Sequence, residues 1–200
     1  MAIEFESNNG YFEPLKDYVF ILADKNSTSE YTLASGLIFK KFPEYEKYHH
    51  DFAVQSGIVK HLPSKTSCGN MELQVGDFVY CHHYLTDDEN EIIMDGVPMY
   101  SMNYDNVYCA IRDEKIFMLK GWNFLMPENN ETKTKGGLFW KPETKYNEKY
   151  AYMAHPSELS KELGIEDGMK VHFKKGAHYK MWVQGELYYR IHDEHLIAIE

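Results

Sequence analysis

Two histidine pairs, His49-His50 and His82-His83, are the residues best suited by type to metal binding, with Asp51 and Cys81 adjoining them. A shared metal needs converging imidazoles, whereas neighbours on one strand project from opposite faces. His82 and His83 are therefore a poor ligand pair, and no metal site is expected. His192, Asp193 and His195 have the residue types of a catalytic dyad, but the sequence places no serine or cysteine nucleophile beside them. Polar surface is the expectation there. The acidic run Asp87, Asp88, Glu89 and Glu91 lacks the alternating ligands and central glycine of a calcium loop, and reads as a solvated hairpin tip. Neither G-x-G-x-x-G nor G-x-x-x-x-G-K occurs, so nucleotide binding has no support. The expectation is a non-enzyme without catalytic residues or cofactors.

Binding offers more than catalysis. Leu37, Ile38 and Phe39 follow a Ser-Gly pair and precede two lysines; Leu138, Phe139 and Trp140 follow two glycines and precede a lysine. Each triplet sits in a long polar stretch of weak periodicity, a setting that suits a docking peptide ordered on binding. The competing reading makes both triplets ordinary core strands, which periodicity alone does not exclude. Burying three such side chains on a partner would yield roughly 4–8 kcal/mol before ordering costs, a weak contact that gains from repetition.

The elements around the triplets recur. PLKDYVFIL at 14–22 matches MLKGWNFLM at 118–126, with the same Leu-Lys start; LQVGDFVYC at 73–81 matches IEDGMKVHF at 165–173, with Gly76 and Gly168 in equivalent places; YDNVYCAI at 104–111 matches HDEHLIAI at 192–199, pairing Asp105 with Asp193. Four elements repeated in one order define a duplication. The boundary falls near 114–118, giving domains 1–114 and 115–200. EIIMDGVPMYSM and KMWVQGELYYRI read as hairpins turning at DG and QG. The helix candidate is PSELSKELG at 156–164, a short connector with Ser157 as its cap. Short strands at this spacing suggest small barrels or sandwiches.

Composition narrows the class. Among 200 residues, 44% are hydrophobic and 15% aromatic, enough for a core and favourable to strands; a net charge of -10 argues against a phosphate-binding surface and hence against nucleic acid. Cys68, Cys81 and Cys109 fit neither a C-x-x-C site nor a disulfide framework and read as reduced thiols. The N-terminus lacks the pattern of a secretory signal, and the run YVFILA at 18–23 is too short to cross a bilayer. A cytoplasmic all-β protein that does not contact membrane is expected.

The order PLKDYVFI, SGLIF, GIVKH, VGDFVY, DNVYCAI resembles the small co-chaperonin (GroES-like) family over residues 12–113, and more faintly over 117–200. The resemblance implies two tandem GroES-like β-barrels with mobile loops at about 24–52 and 128–150, a homo-oligomer, and a large chaperonin ring as partner, which itself binds and hydrolyses the ATP. Leu37, Ile38, Phe39, Leu138, Phe139 and Trp140 would insert into that ring. Phe39 and Trp140 are bulkier than the aliphatic residue the family places third. The second copy departs further: Gly121 replaces the first-strand aspartate, Asp167-Gly168-Met169 replaces Val-Gly-Asp, and Tyr152-Met153-Ala154 stands for the Gly-x-Val strand. The rival reading is a non-enzymatic β-barrel structural or assembly protein, a viral one included, with both triplets buried.

Overall fold

Two-residue turns with positive φ set the hairpins. Asp95 and Gly96 (φ 50° and 75°) join strands Glu91–Met94 (β7) and Val97–Asn103 (β8), and Gln184 and Gly185 (φ 51° and 86°) join Tyr179–Val183 (β14) and Glu186–His192 (β15). This is the twist that tight hairpins require, with glycine relieving the second position. In the computed structural model of the chain, residues 3–5, 13–24, 30–32, 38–40, 55–67, 71–130 and 145–200 are described. The chain divides into two compact units, Met1–Leu119 and Lys120–Glu200.

The first unit also contains Ile3–Phe5 (β1), Tyr18–Ala23 (β2), Glu30–Thr32 (β3), Ile38–Lys40 (β4), Ser56–His61 (β5), Phe78–Cys81 (β6), Val107–Arg112 (β9) and Lys115–Met118 (β10). Eight of its strands form one sheet in the order β1-β7-β8-β2-β5-β6-β9-β10, antiparallel except for the β1–β7 pair, while β3 and β4 pair only with each other. β10 belongs here because it pairs with β9 through the turn at Asp113 and Glu114. Val19, Ile21, Val59, Val79 and Met102 are among the residues that build its core. The second unit adds Trp122–Asn130 (β11), Lys145–His155 (β12), a five-residue helix Glu158–Glu162 (α1), Lys170–Phe173 (β13) and Leu196–Ile199 (β16). Its antiparallel sheet runs β14-β15-β11-β12-β13-β16 around Leu125, Met153, Val171, Tyr189 and Ile191. The protein is thus mostly β. A strand pairing that would close either sheet into a barrel is not found among the described residues.

The duplication extends to register. Six strands of the first sheet, β7-β8-β2-β5-β6-β9, follow the same order as the whole of the second. Tyr18 faces Asn103 as Trp122 faces His192, and Ile21 faces Val59 as Leu125 faces Met153. Irregularities between Phe20 and Ile21 and between Tyr80 and Cys81 recur between Phe124 and Leu125 and between His172 and Phe173. The glycine turn bonds likewise: Gly76 N–H to Val59 O (2.9 Å) and Gly168 N–H to Met153 O (2.7 Å).

Register also corrects two alignments. Gly57 to Val59 corresponds to Ala151 to Met153, one residue earlier than Tyr152-Met153-Ala154. The 3-10 turn Tyr104–Asn106 corresponds to Asp193–His195, so Asp105 matches Glu194 and Tyr104 matches Asp193. The shared Ala-Ile letters pulled the sequence match one residue out of step. Gly57 is sterically required, since a Cβ there would stand 2.5 Å from Leu22 O; the second unit accommodates a fully buried Ala151 at that point.

Candidate functional site

Both triplet-bearing segments connect the same pair of neighbouring strands, β2 to β5 and β11 to β12. In the first segment Ile38 and Phe39 lie on β4, opposite Thr32 and Tyr31 of β3. They are therefore strand residues, but of a separate two-stranded sheet rather than of the large one. Leu37 lies outside the described residues, as do Leu138, Phe139 and Trp140. The second segment leaves from a longer ribbon, whose last pair joins Asn130 to Lys145.

The connection from β5 to β6, and its counterpart from β12 to β13, is pinned to the 3-10 turn in both units. In the first, Asp17 accepts hydrogen bonds from Ser67 N (2.9 Å) and Ser67 Oγ, while the Tyr104 hydroxyl donates to Glu72 Oε2 (3.2 Å) and accepts from Glu72 N (3.3 Å). In the second, Asp193 gathers Asn123 Nδ2 (2.6 Å), Ser157 Oγ (2.7 Å) and Ser160 Oγ (2.9 Å). Ser157 Oγ in turn accepts from Ser160 N (3.0 Å), capping α1 as its sequence suggests. Two serines therefore reach Asp193, which the sequence did not reveal because they come from a different element. They make no nucleophile: their hydroxyls donate directly to the carboxylate, and His192 Nε2 donates to Lys120 O (3.0 Å) instead. Generating a serine nucleophile requires a base that takes the hydroxyl proton, usually histidine.

Beside this node lies an apolar groove of about 670 Å³. Leu159 and Leu163 of the α1 region form one wall, Ile165 and Val171 the floor, and Leu196 and Ile197 of β16 the other wall, with Lys120, His192 and Glu194 at the rim. Leu163 is 68% exposed and Ile197 63%. Sequence reading passed over this site; the four-residue spacing of Leu159 and Leu163 was the available signal.

The remaining candidates take the following places. The rings of His82 and His83 approach to 4.0 Å between centroids, because β6 ends at Cys81 and the pair occupies a turn rather than a strand. That overturns the opposite-face argument, yet no group of three or more His, Cys, Asp or Glu able to hold a metal occurs among the described residues. Cys81 and Cys109 are free and buried, and burial drives both thiols upward, Cys109 to about 12. Cys68 lies outside the described residues. The acidic run at 87–91 forms the turns leading into β7, not the hairpin tip, which is Asp95-Gly96. Among the described residues no helix is long and apolar enough to cross a membrane. Set against models of known protein families, the chain matches none. Set against curated proteins, it again finds no match.

Proposed function

We propose that the chain is a co-chaperonin of two GroES-like barrel domains, a homo-oligomer in the cytoplasm that caps a large chaperonin ring. Its contribution is binding; the ring binds and hydrolyses the ATP. Leu37, Ile38, Phe39 and, in the second repeat, Leu138, Phe139 and Trp140 are the docking residues. The observation that carries this reading is the equivalence of the two triplet-bearing segments, each joining the same two neighbouring strands of a duplicated sheet. Two weak apolar contacts on one chain, multiplied by an oligomer, give the avidity that a single triplet lacks.

Limited proteolysis with mass mapping tests it. Early cuts flanking Leu37–Phe39 and Leu138–Trp140 in the free protein should vanish when a chaperonin ring and ATP are added. Phe39→Asp should leave the fold unchanged and weaken ring binding about tenfold or more. Triplets protected in the free protein would instead favour a self-assembling structural protein, the second reading, to which the apolar groove beside β16 lends support.

A further inference from the structure

The β7–β8 and β14–β15 hairpins are equivalent, yet their outer edges are treated differently. In the first unit β1 lies parallel along β7, with Ile3 opposite Ile92, Glu4 opposite Ile93 and Phe5 opposite Met94. In the second unit β14 ends the sheet, and no described strand pairs with its outer edge. Tyr179, Lys180 and Trp182 are exposed along it, Trp182 by 60%. An edge strand left open in this way presents unpaired N–H and C=O groups to any strand that can match them.

The turn decides which groups those are. Gln184 and Gly185 form a two-residue turn, so Val183 and Glu186 close the hairpin as a hydrogen-bonded pair. Bonded and non-bonded pairs alternate along an antiparallel ladder. Tyr179 and Met181 therefore direct their backbone groups to β15, whereas Lys180 and Trp182 direct theirs outward. Two residues apart, Lys180 and Trp182 also carry their side chains on one face. We propose that β14 pairs antiparallel with β14 of a second copy, about a two-fold axis at Met181.

That register is self-complementary. With the two Met181 residues opposite each other, Lys180 of either copy falls opposite Trp182 of the other. Both pairs exchange N–H···O bonds in each direction, using every outward backbone group of the two residues. Side chains directly opposite share a face, so each ammonium meets an indole. Lys180 is already placed for this: its Nζ stands 5.0 Å from the Tyr146 ring, and Trp182 of the second copy would close a sandwich around it. The chain builds the same arrangement internally, where Arg190 Cζ lies 4.8 Å from the Tyr179 ring and 4.9 Å from that of Trp122. Charge agrees with the direction. Exposed Lys174 and Lys175 precede β14 and exposed Glu186 follows it, so an antiparallel copy sets lysine towards glutamate at both ends. A parallel copy would set like charges side by side. The contact is isologous and closes at two partners. It does not rest on chaperonin docking.

Sedimentation velocity on the full chain, from about 5 to 500 µM, tests the pairing; the contact is weak because β14 supplies only five residues per copy. The species present when dilute should double in mass when concentrated, whether it is a single chain or a larger oligomer. Trp182→Lys sets lysine against lysine twice and should weaken the doubling at least about tenfold. Adding Lys180→Trp restores the opposition and should return it to within about threefold of the unaltered chain. Both positions are exposed, and circular dichroism confirms that the variants fold. Hydrogen exchange needs no variant: the amides of Lys180 and Trp182 should slow on doubling, while that of Met181, paired with Tyr188, stays unchanged. Phe39→Asp should double like the unaltered chain, since the docking segments take no part. A chain that never doubles, a Trp182→Lys chain that doubles normally, a double variant that fails to recover, or Lys180 and Trp182 amides that stay fast would each overturn the proposal. So would doubling that requires Ile3–Phe5, which would give the edge to another copy's β1.

Discussion

In the first unit the carboxylate that pins the β5–β6 connection comes from Asp17, at the entrance to β2, and the 3-10 turn contributes a tyrosine, Tyr104. In the second unit these places hold Gly121 and Asp193, so the carboxylate has crossed to the opposite partner. Gly121 makes the exchange feasible: a Cβ there would stand 2.8 Å from Asp193 Oδ2, and its φ is 76°. Loss of the first-strand aspartate is thus compensated within the same junction. A second exchange is not compensated in kind. Asp77, 3% exposed at its side chain, accepts from Arg112 Nε (2.8 Å) and Nη2 (2.7 Å) and from Gln74 N (2.7 Å). Its equivalent is Met169, whose sulfur accepts from Glu166 N at 3.4 Å. One unit fastens its glycine turn with a bidentate ion pair, the other with a weak acceptor. The fold tolerates both, which shows that strand order and register, rather than any one polar contact, are what the duplication preserved.

Breaking the ion pair should have the largest effect. Arg112→Leu leaves a buried carboxylate with a single backbone donor, and should cost about 3–5 kcal/mol. Met169→Ala should cost about 1 kcal/mol, the sulfur's bond being weak. Urea unfolding gives the totals, and hydrogen exchange locates the loss in β6 and β9 for the first change. Equal costs would mean that Asp77 is not a fastening point. Next in size, Gly121→Ala should destabilise by about 2 kcal/mol, combining a disfavoured φ with the clash against Asp193. Asp17→Ala should cost about 1 kcal/mol, since its Ser67 contacts are exposed. If Gly121→Ala proves as mild as Asp17→Ala, the carboxylate exchange does not depend on glycine.

Much of this architecture was legible in the chain because it depends on local patterns. The DG and QG turns, the paired glycine turns at Gly76 and Gly168, and the Leu-Lys start before β2 and β11 all rest on residues adjacent in sequence. Side-chain convergence was not legible. Ser157 and Ser160 reach Asp193 from the α1 region and Asn123 from β11, and no spacing in the sequence announces that meeting. The closing strand was misaligned by one residue because letter identity at Ala-Ile outweighed the position of the 3-10 turn. The groove was missed for a related reason: its floor, Ile165 and Val171, reads as ordinary core, and its walls come from separate elements, the α1 region and β16.

The smallest effect should appear in acid, and it should single out the second unit. His155 packs against Phe124 and Tyr188, and His178 against Phe173 and Tyr189. Burial lowers both imidazoles below their ordinary value, opposed by Asp167 near His155 and by Glu148 near His178. The unfolded chain then takes up protons at a higher pH than the folded one. Stability is complete above about 6.5, the ordinary histidine value, and falls as pH drops from there through the lower folded-state values. All three tryptophans, Trp122, Trp140 and Trp182, belong to the second unit, so their fluorescence reports on it. Melting followed that way should move to lower temperature between pH 7 and pH 5, and His155→Gln with His178→Gln should flatten the dependence. A tryptophan transition that shifts equally in the double variant would move the acid response from His155 and His178 to other groups.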